Sequence, residues 1–135
     1  MATSKVTYLG GLRTTSTHLQ SGTEILTDAP VDNRGKGEAF SPTDLLATSF
    51  ANCMLTIMGI TAQTHGLDID GTTAEVTKIM APDPRRVTKI HVNYNFPKKD
   101  SYTDKDKKIL EHAALTCPVH FSLHPDIERV VDFGW

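Results

Sequence analysis

The sequence predicts an α+β fold in the order βββ-α-ββ-α-β. Three observations carry that reading. Residues 5–27 are rich in Thr, β-branched and aromatic residues, punctuated by glycine-bearing turns. An almost unbroken apolar segment within residues 42–65 follows a helix-capping signal. Two further runs, 73–80 and 87–96, alternate with period two ahead of a second, polar helix.

Each element has its own justification. Residues 5–9 and 12–18 read as strands, with Gly10-Gly11 bending the chain between them. Gln20-Ser21-Gly22 is a hairpin turn into a third strand, 23–27, so an antiparallel meander is expected. The loop from Asp28 to Ala39 holds Pro30, Gly35 and Gly37 and is near the length at which loops tend to be functional. Its Arg34-Gly35-Lys36-Gly37 piece lacks the spacing of a phosphate loop and reads as solvated surface.

Ser41 is an N-cap, Pro42 suits the first helical position, and Asp44 closes a capping box. The helix runs to His65, about 36 Å in length, and Gly66 stops it. It is small or apolar on nearly every face, so burial on most sides is expected, by a sheet and by a partner subunit. In the second of the later strands, Ile90, Val92, Tyr94 and Phe96 form the apolar stripe. A polar helix over about 103–116 buries Ile109, Leu110, Ala113 and Ala114. Pro118 interrupts it, a short helical piece continues to about Leu123, and a last strand covers 127–133.

Composition narrows the function. At 135 residues, one domain is expected. A hydrophobic share of 39% and a charged share of 22% exclude a disordered chain and a coiled coil. With 14 basic against 16 acidic side chains, no nucleic-acid partner is expected. No run of 18 apolar residues is free of polar breaks, so no membrane association is expected. Residues 1–10 lack the apolar core of a secretory leader, and a cytoplasmic location is expected.

The chemistry rests on two cysteines. In a reducing compartment such a pair is more often catalytic, redox-active or metal-binding than a structural disulfide, unless both are simply small buried residues. Cys53 sits mid-helix, where the macrodipole contributes little, so a reactive Cys53 needs a nearby cation. Cys117 precedes Pro118 and is placed to N-cap the short helical piece, where free N–H groups stabilise a thiolate. A rival reading joins Cys53, Cys117, His120 and His124 in a Cys₂His₂ zinc site. Pro125 and the absence of short paired ligand motifs argue against it, and neither a metal nor another cofactor is expected.

Ser-Pro-Thr-Asp-Leu-Leu-Ala-Thr-Ser-Phe-Ala-Asn-Cys (41–53) and Leu-Thr-Cys-Pro-Val (115–119), with the element order, resemble the OsmC/Ohr family of thiol peroxidases over nearly the whole chain. The Leu-Gln-Ser-Gly and Asp-Ala-Pro-Val-Asp-Asn stretches are similar to its OsmC-like branch. The resemblance implies a single OsmC-like domain over residues 1–135, in an intertwined homodimer with the two long helices buried at its centre and the active site at the dimer interface. It implies that Cys53 attacks an organic hydroperoxide and becomes a sulfenic acid, that Cys117 resolves it as a disulfide, and that a dithiol reductant restores the pair.

In that family an arginine holds the thiolate and a glutamate orients the arginine. Arg13 and Arg34 are the candidates for the first role. The family's glutamate lies ten residues before the cysteine, where this chain has Thr43, which leaves Asp44 and Glu38 as substitutes. Phe40, Phe50, Met54 and Phe121 are the candidates for an apolar pocket that would favour bulky peroxides. The departure at Thr43 keeps open a second reading, a domain of the same fold that binds a ligand or senses redox state with little peroxidase activity.

Overall fold

A computed structural model describes residues 1–135. The chain divides into two compact units, residues 1–46 and 47–135.

The first unit is built on a three-stranded antiparallel sheet of β1 (Ser4–Gly10), β2 (Arg13–His18) and β3 (Glu24–Asp28) in the order β1-β2-β3. This is the expected meander. Its register pairs Val6 with Ser16 and Ser16 with Ile25, so these side chains share one face. A bulge between Tyr8 and Gly10 takes up the bend. The connection after β3 is more ordered than a free loop. Val31–Asn33 form a 3₁₀ turn, and the amides of Gly35 and Gly37 donate to Pro30 O and Ala29 O. A Cβ on Gly35 would lie 1.7 Å from Ala29 O, so only glycine permits this approach of two backbone segments.

The helix α1 spans Pro42–His65. Ser41 and Asp44 exchange reciprocal hydrogen bonds: Asp44 N donates to Ser41 Oγ at 3.0 Å, and Ser41 N donates to Asp44 Oδ2 at 2.9 Å. At the other end Leu67 N donates to Ala62 O and Gly66 N to Gln63 O, with Gly66 at φ 67°, the left-handed stop its sequence predicts. Over its most apolar 18 residues the mean hydropathy reaches 1.6, long and apolar enough by length and composition to cross a membrane. Within the second unit it serves as a core helix instead. Ala47, Phe50, Ala51, Met54, Met58 and Ala62 form one buried stripe at helical spacing. The opposite side stays open in the single chain, with Ile60 56% exposed, so burial on most sides is not met within one copy.

That stripe shares a core with the second sheet, made of β4 (Thr73–Ala81), β5 (Arg86–Asn95) and β6 (Glu128–Asp132) in the order β4-β5-β6. Val87, Ile90, Val92 and Tyr94 of β5 face the core, and Phe96 continues the stripe beyond it. β4 and β5 are antiparallel, whereas β5 and β6 are parallel. The parallel pair requires a crossover, supplied by α2 (Asp104–Ala114) and α3 (Pro118–Ser122). Thr103 and Asp106 form a capping box at the start of α2. Leu110, Ala113 and Ala114 are its buried side.

Candidate functional site

Two groups of side chains carry chemistry, one in each unit. In the first unit, Arg13 opens β2 and Asp28 closes β3, and the two are directly opposite in the strand register. The fork of Arg13 grips that carboxylate at two points: Nε donates to Oδ1 at 2.7 Å and Nη2 to Oδ2 at 2.9 Å. Nη2 also donates to Glu38 Oε2 at 3.0 Å, and the Glu38 amide donates to Asp28 Oδ2 at 3.1 Å. Asp28 is 2% exposed, while the Glu38 side chain is 63% exposed. The Arg13 hydrogen bonds hold Asp28 below its ordinary carboxylate pKa against the opposing effect of burial. The same bonds to Asp28 and Glu38 raise Arg13, which is a fixed cation at any accessible pH.

In the second unit, Cys53 on α1 and Cys117 at the N-cap of α3 are both free thiols, and they are close enough for Cys53 to raise the pKa of Cys117. Their environments differ. Cys53 is partly exposed; Cys117 has no exposed surface. Cys117 Sγ accepts the His120 amide at 3.2 Å. Burial pushes the Cys117 thiol pKa up, the His120 amide pulls it down, and proximity to Cys53 pushes it up again, leaving it raised. Tyr94 lies near both thiols. Its Oη donates to Ala51 O at 3.1 Å, and burial, reinforced by the two cysteines, raises its pKa.

His120 completes this second group. Its ring stacks on Phe50 with centroids 6.0 Å apart and meets Phe121 edge-on at 5.3 Å. Burial, with the charge of Arg129 behind it, lowers its pKa, so the imidazole is neutral at pH 7. Its Nδ1 is buried and has no hydrogen-bond partner.

The structure therefore brings together Cys53 with Cys117, and Arg13 with Glu38. Arg34 lies exposed at the end of the 3₁₀ turn, outside the Arg13 cluster. Asp44 is occupied as the cap of α1, and Thr43 Oγ1 lies 3.2 Å from Ser41 Oγ. Phe50 and Met54 are fully buried core residues, whereas Phe121 is 74% exposed and Phe40 52% exposed. The rival zinc quartet does not form: His124 lies beyond the end of α3 with its Nδ1 accepting the Asp126 amide, and no cluster of three His, Cys, Asp or Glu side chains has metal-binding geometry.

Asp28 is the residue that sequence reasoning did not place in a site, and His120 entered it only as a ligand of the rival zinc quartet. A signal for Asp28 existed. Stepping back equally along both strands from the hairpin turn sets Arg13 against Asp28. His120 had none beyond its spacing from Cys117, because its environment comes from α1 and β6.

The chain matches the model of the OsmC-like protein family over residues 35–130. A solved structure from Psychrobacter arcticus 273-4, named for osmotic stress induction and a detoxification response, is 62% identical and superposes with a TM-score of 0.94. That match covers 98% of this chain and 96% of the other. An organic hydroperoxide resistance protein of Vibrio cholerae shares the fold at 16% identity and a TM-score of 0.73, over 100% of this chain and 94% of that one. An organic hydroperoxide resistance protein of Legionella pneumophila does so at 15% identity and 0.66, over 100% and 98%. Among curated proteins, none matches.

Proposed function

Because this chain belongs to the OsmC-like protein family, we propose that it is a thiol peroxidase that reduces organic hydroperoxides through a two-cysteine cycle. The observation that carries this reading is the asymmetry between two neighbouring thiols, one partly open and one sealed. Cys53 is the one a hydroperoxide can meet. Its thiolate attacks the outer peroxide oxygen, forming an S–O bond as the O–O bond breaks. The departing alkoxide takes a proton and leaves as the alcohol. Cys117 then attacks the Cys53 sulfur, the S–S bond forms, and water leaves. A dithiol reduces the disulfide in two exchange steps.

On this reading Arg13 is the arginine that attends the thiolate, and Asp28 with Glu38 takes over the orienting role that Thr43 cannot perform. The second reading, ligand binding or redox sensing with little turnover, drew its support from Thr43; the two carboxylates on Arg13 weaken that ground. The working form is a homodimer. Mass spectrometry after one equivalent of cumene hydroperoxide tests the cycle. Cys117→Ser should hold a sulfenic acid on Cys53, and the native chain should hold a Cys53–Cys117 disulfide. Unmodified Cys53 in both would reject the proposal.

A further inference from the structure

Disulfide formation sets a demanding geometry. The Cα atoms of the two cysteines must stand about 4.4–6.8 Å apart, with the sulfurs brought to about 2.0 Å. Cys53 is held within a helix of 24 residues, but Cys117 caps one of only five, Pro118–Ser122. A helix of that length does not sustain itself, because it barely recovers the cost of nucleation. Its own bonds are few: Leu123 N donates to Val119 O at 3.0 Å, and the His120 amide donates to Cys117 Sγ at 3.2 Å. The position of Cys117 therefore depends on what grips α3 from outside.

Arg129 supplies that grip. It lies on β6 opposite Ile90 of β5, which is fully buried, so the register turns both side chains to the core face of the sheet. From there Nη2 donates to Leu123 O at 3.1 Å and to His124 O at 3.2 Å, the carbonyls of the C-cap residue of α3 and of the residue after it. Nε is buried without a hydrogen-bond partner, which costs stability. An apolar side chain would fill the same space without that cost, so the hold on the two carbonyls is what an arginine adds. On its other side α3 meets α1, where the His120 ring stacks on Phe50, three residues before Cys53. The short helix is thus held between β6 and the helix that bears the other thiol.

We propose that Arg129 is a positioning residue for the resolving step, fixing α3 on β6 so that Cys117 meets the Cys53 sulfur. The proposal rests on the peroxidase reading. In that step Cys117 gives up its proton, and its sulfur attacks the sulfur of Cys53 sulfenic acid. An S–S bond forms, the S–O bond breaks, and the hydroxide leaves with a proton as water. Cys53 sulfur is reduced and Cys117 sulfur is oxidised. Arg129 exchanges no proton and forms no bond to sulfur; it acts through the backbone of α3. A misplacement of about 1 Å costs about 100-fold in rate, so a loosened α3 is measurable.

The test compares attack on one sulfur from within the chain and from outside it. Cys53 is converted to its thionitrobenzoate mixed disulfide, and release of the chromophore is timed by rapid mixing. Cys117 releases it in the otherwise native chain, by forming the S–S bond to Cys53 as thionitrobenzoate leaves. Added dithiothreitol releases it in the Cys117→Ser background. With Arg129→Met, release by Cys117 should fall about 30-fold at every pH from 7 to 10, and release by dithiothreitol should stay within about 2-fold of native. Arg129→Lys keeps a donor for the carbonyls on a shorter reach, so release by Cys117 should fall about 5-fold. A rate of release by Cys117 equal to native in Arg129→Met, or in Arg129→Lys where the methionine variant does not fold, would overturn the role. Equal losses by both routes, the mark of general loosening, would also overturn it. So would a loss that vanishes at high pH, the mark of a charge acting on the Cys117 proton. Absence of sulfenic acid on Cys53 after cumene hydroperoxide would instead reject the peroxidase reading, and chromophore release would still decide whether Arg129 positions Cys117.

Discussion

Arg13 and Asp28 face one another across the β2–β3 pair, and two nitrogens of the guanidinium reach two oxygens of the carboxylate at 2.7 and 2.9 Å. Asp28 is held by strand register, and its carboxylate also accepts the Glu38 amide. Glu38 approaches the same arginine from an exposed position. Geometry thus ranks the two carboxylates: Asp28 fixes the arginine and Glu38 adjusts it.

Asp28→Asn is therefore predicted to lower kcat/KM for an organic hydroperoxide about 10-fold or more, because a buried charge-assisted fork is lost. Glu38→Gln should cost no more than about 5-fold, as expected of an exposed ion pair. Equal losses would contradict the ranking. The pH dependence has a definite sign. The folded-state pKa of Asp28 lies below its unfolded value near 3.8, so its contribution to stability is full only above about pH 5. That contribution disappears as pH falls through the lowered folded value. Acid unfolding of Asp28→Asn should lack this part of the slope.

Gly35→Ala is predicted to destabilise the first unit by about 2 kcal/mol, since the added carbon would overlap the Ala29 carbonyl. Glu38 follows closely in the chain, so the same change should reduce activity. Denaturant unfolding and turnover on the same preparation would show both losses, and a variant as stable as the native protein would refute the close approach.

Tyr94→Phe removes the hydroxyl that donates to Ala51 O. Stability should fall by about 1 kcal/mol in urea unfolding at fixed protein concentration. Both cysteines should remain free thiols in the reduced variant, by thiol titration.

The first sheet predicts the oligomeric state. Val6, Tyr8 and Ile25 share one face and are each between 48% and 64% exposed. A three-stranded sheet with such a face needs a cover. Light scattering should give a dimer, and Ile25→Lys should shift it towards monomer at low concentration. A native monomer would contradict the assembly.

Local signals made most of the fold legible. The Ser41–Asp44 cap and Gly66 bound α1 without reference to anything distant, and the period of Ile90, Val92 and Tyr94 marks the core face of β5. Parallel pairing of β6 with β5 was not legible, because a crossover joins strands that share no turn. The same holds within the candidate site. Cys53 and Cys117 stood out by residue type and resemblance, and Arg13 with Glu38 was one of the pairings left open. Asp28 looked like the first residue of a loop, and only the register shows it to be the partner of Arg13. His120 takes its character from Phe50 and Arg129, which lie on other elements.

The central claim is that Cys53 turns over organic hydroperoxide. Consumption of cumene hydroperoxide with a dithiol reductant, measured for the native protein, Cys53→Ser and Cys117→Ser, tests it most directly. The account predicts sustained turnover in the native protein, none in Cys53→Ser, and a single oxidation per chain before Cys117→Ser stalls. Multiple turnover surviving in Cys53→Ser, or a native rate no faster than that of the variant, would contradict it.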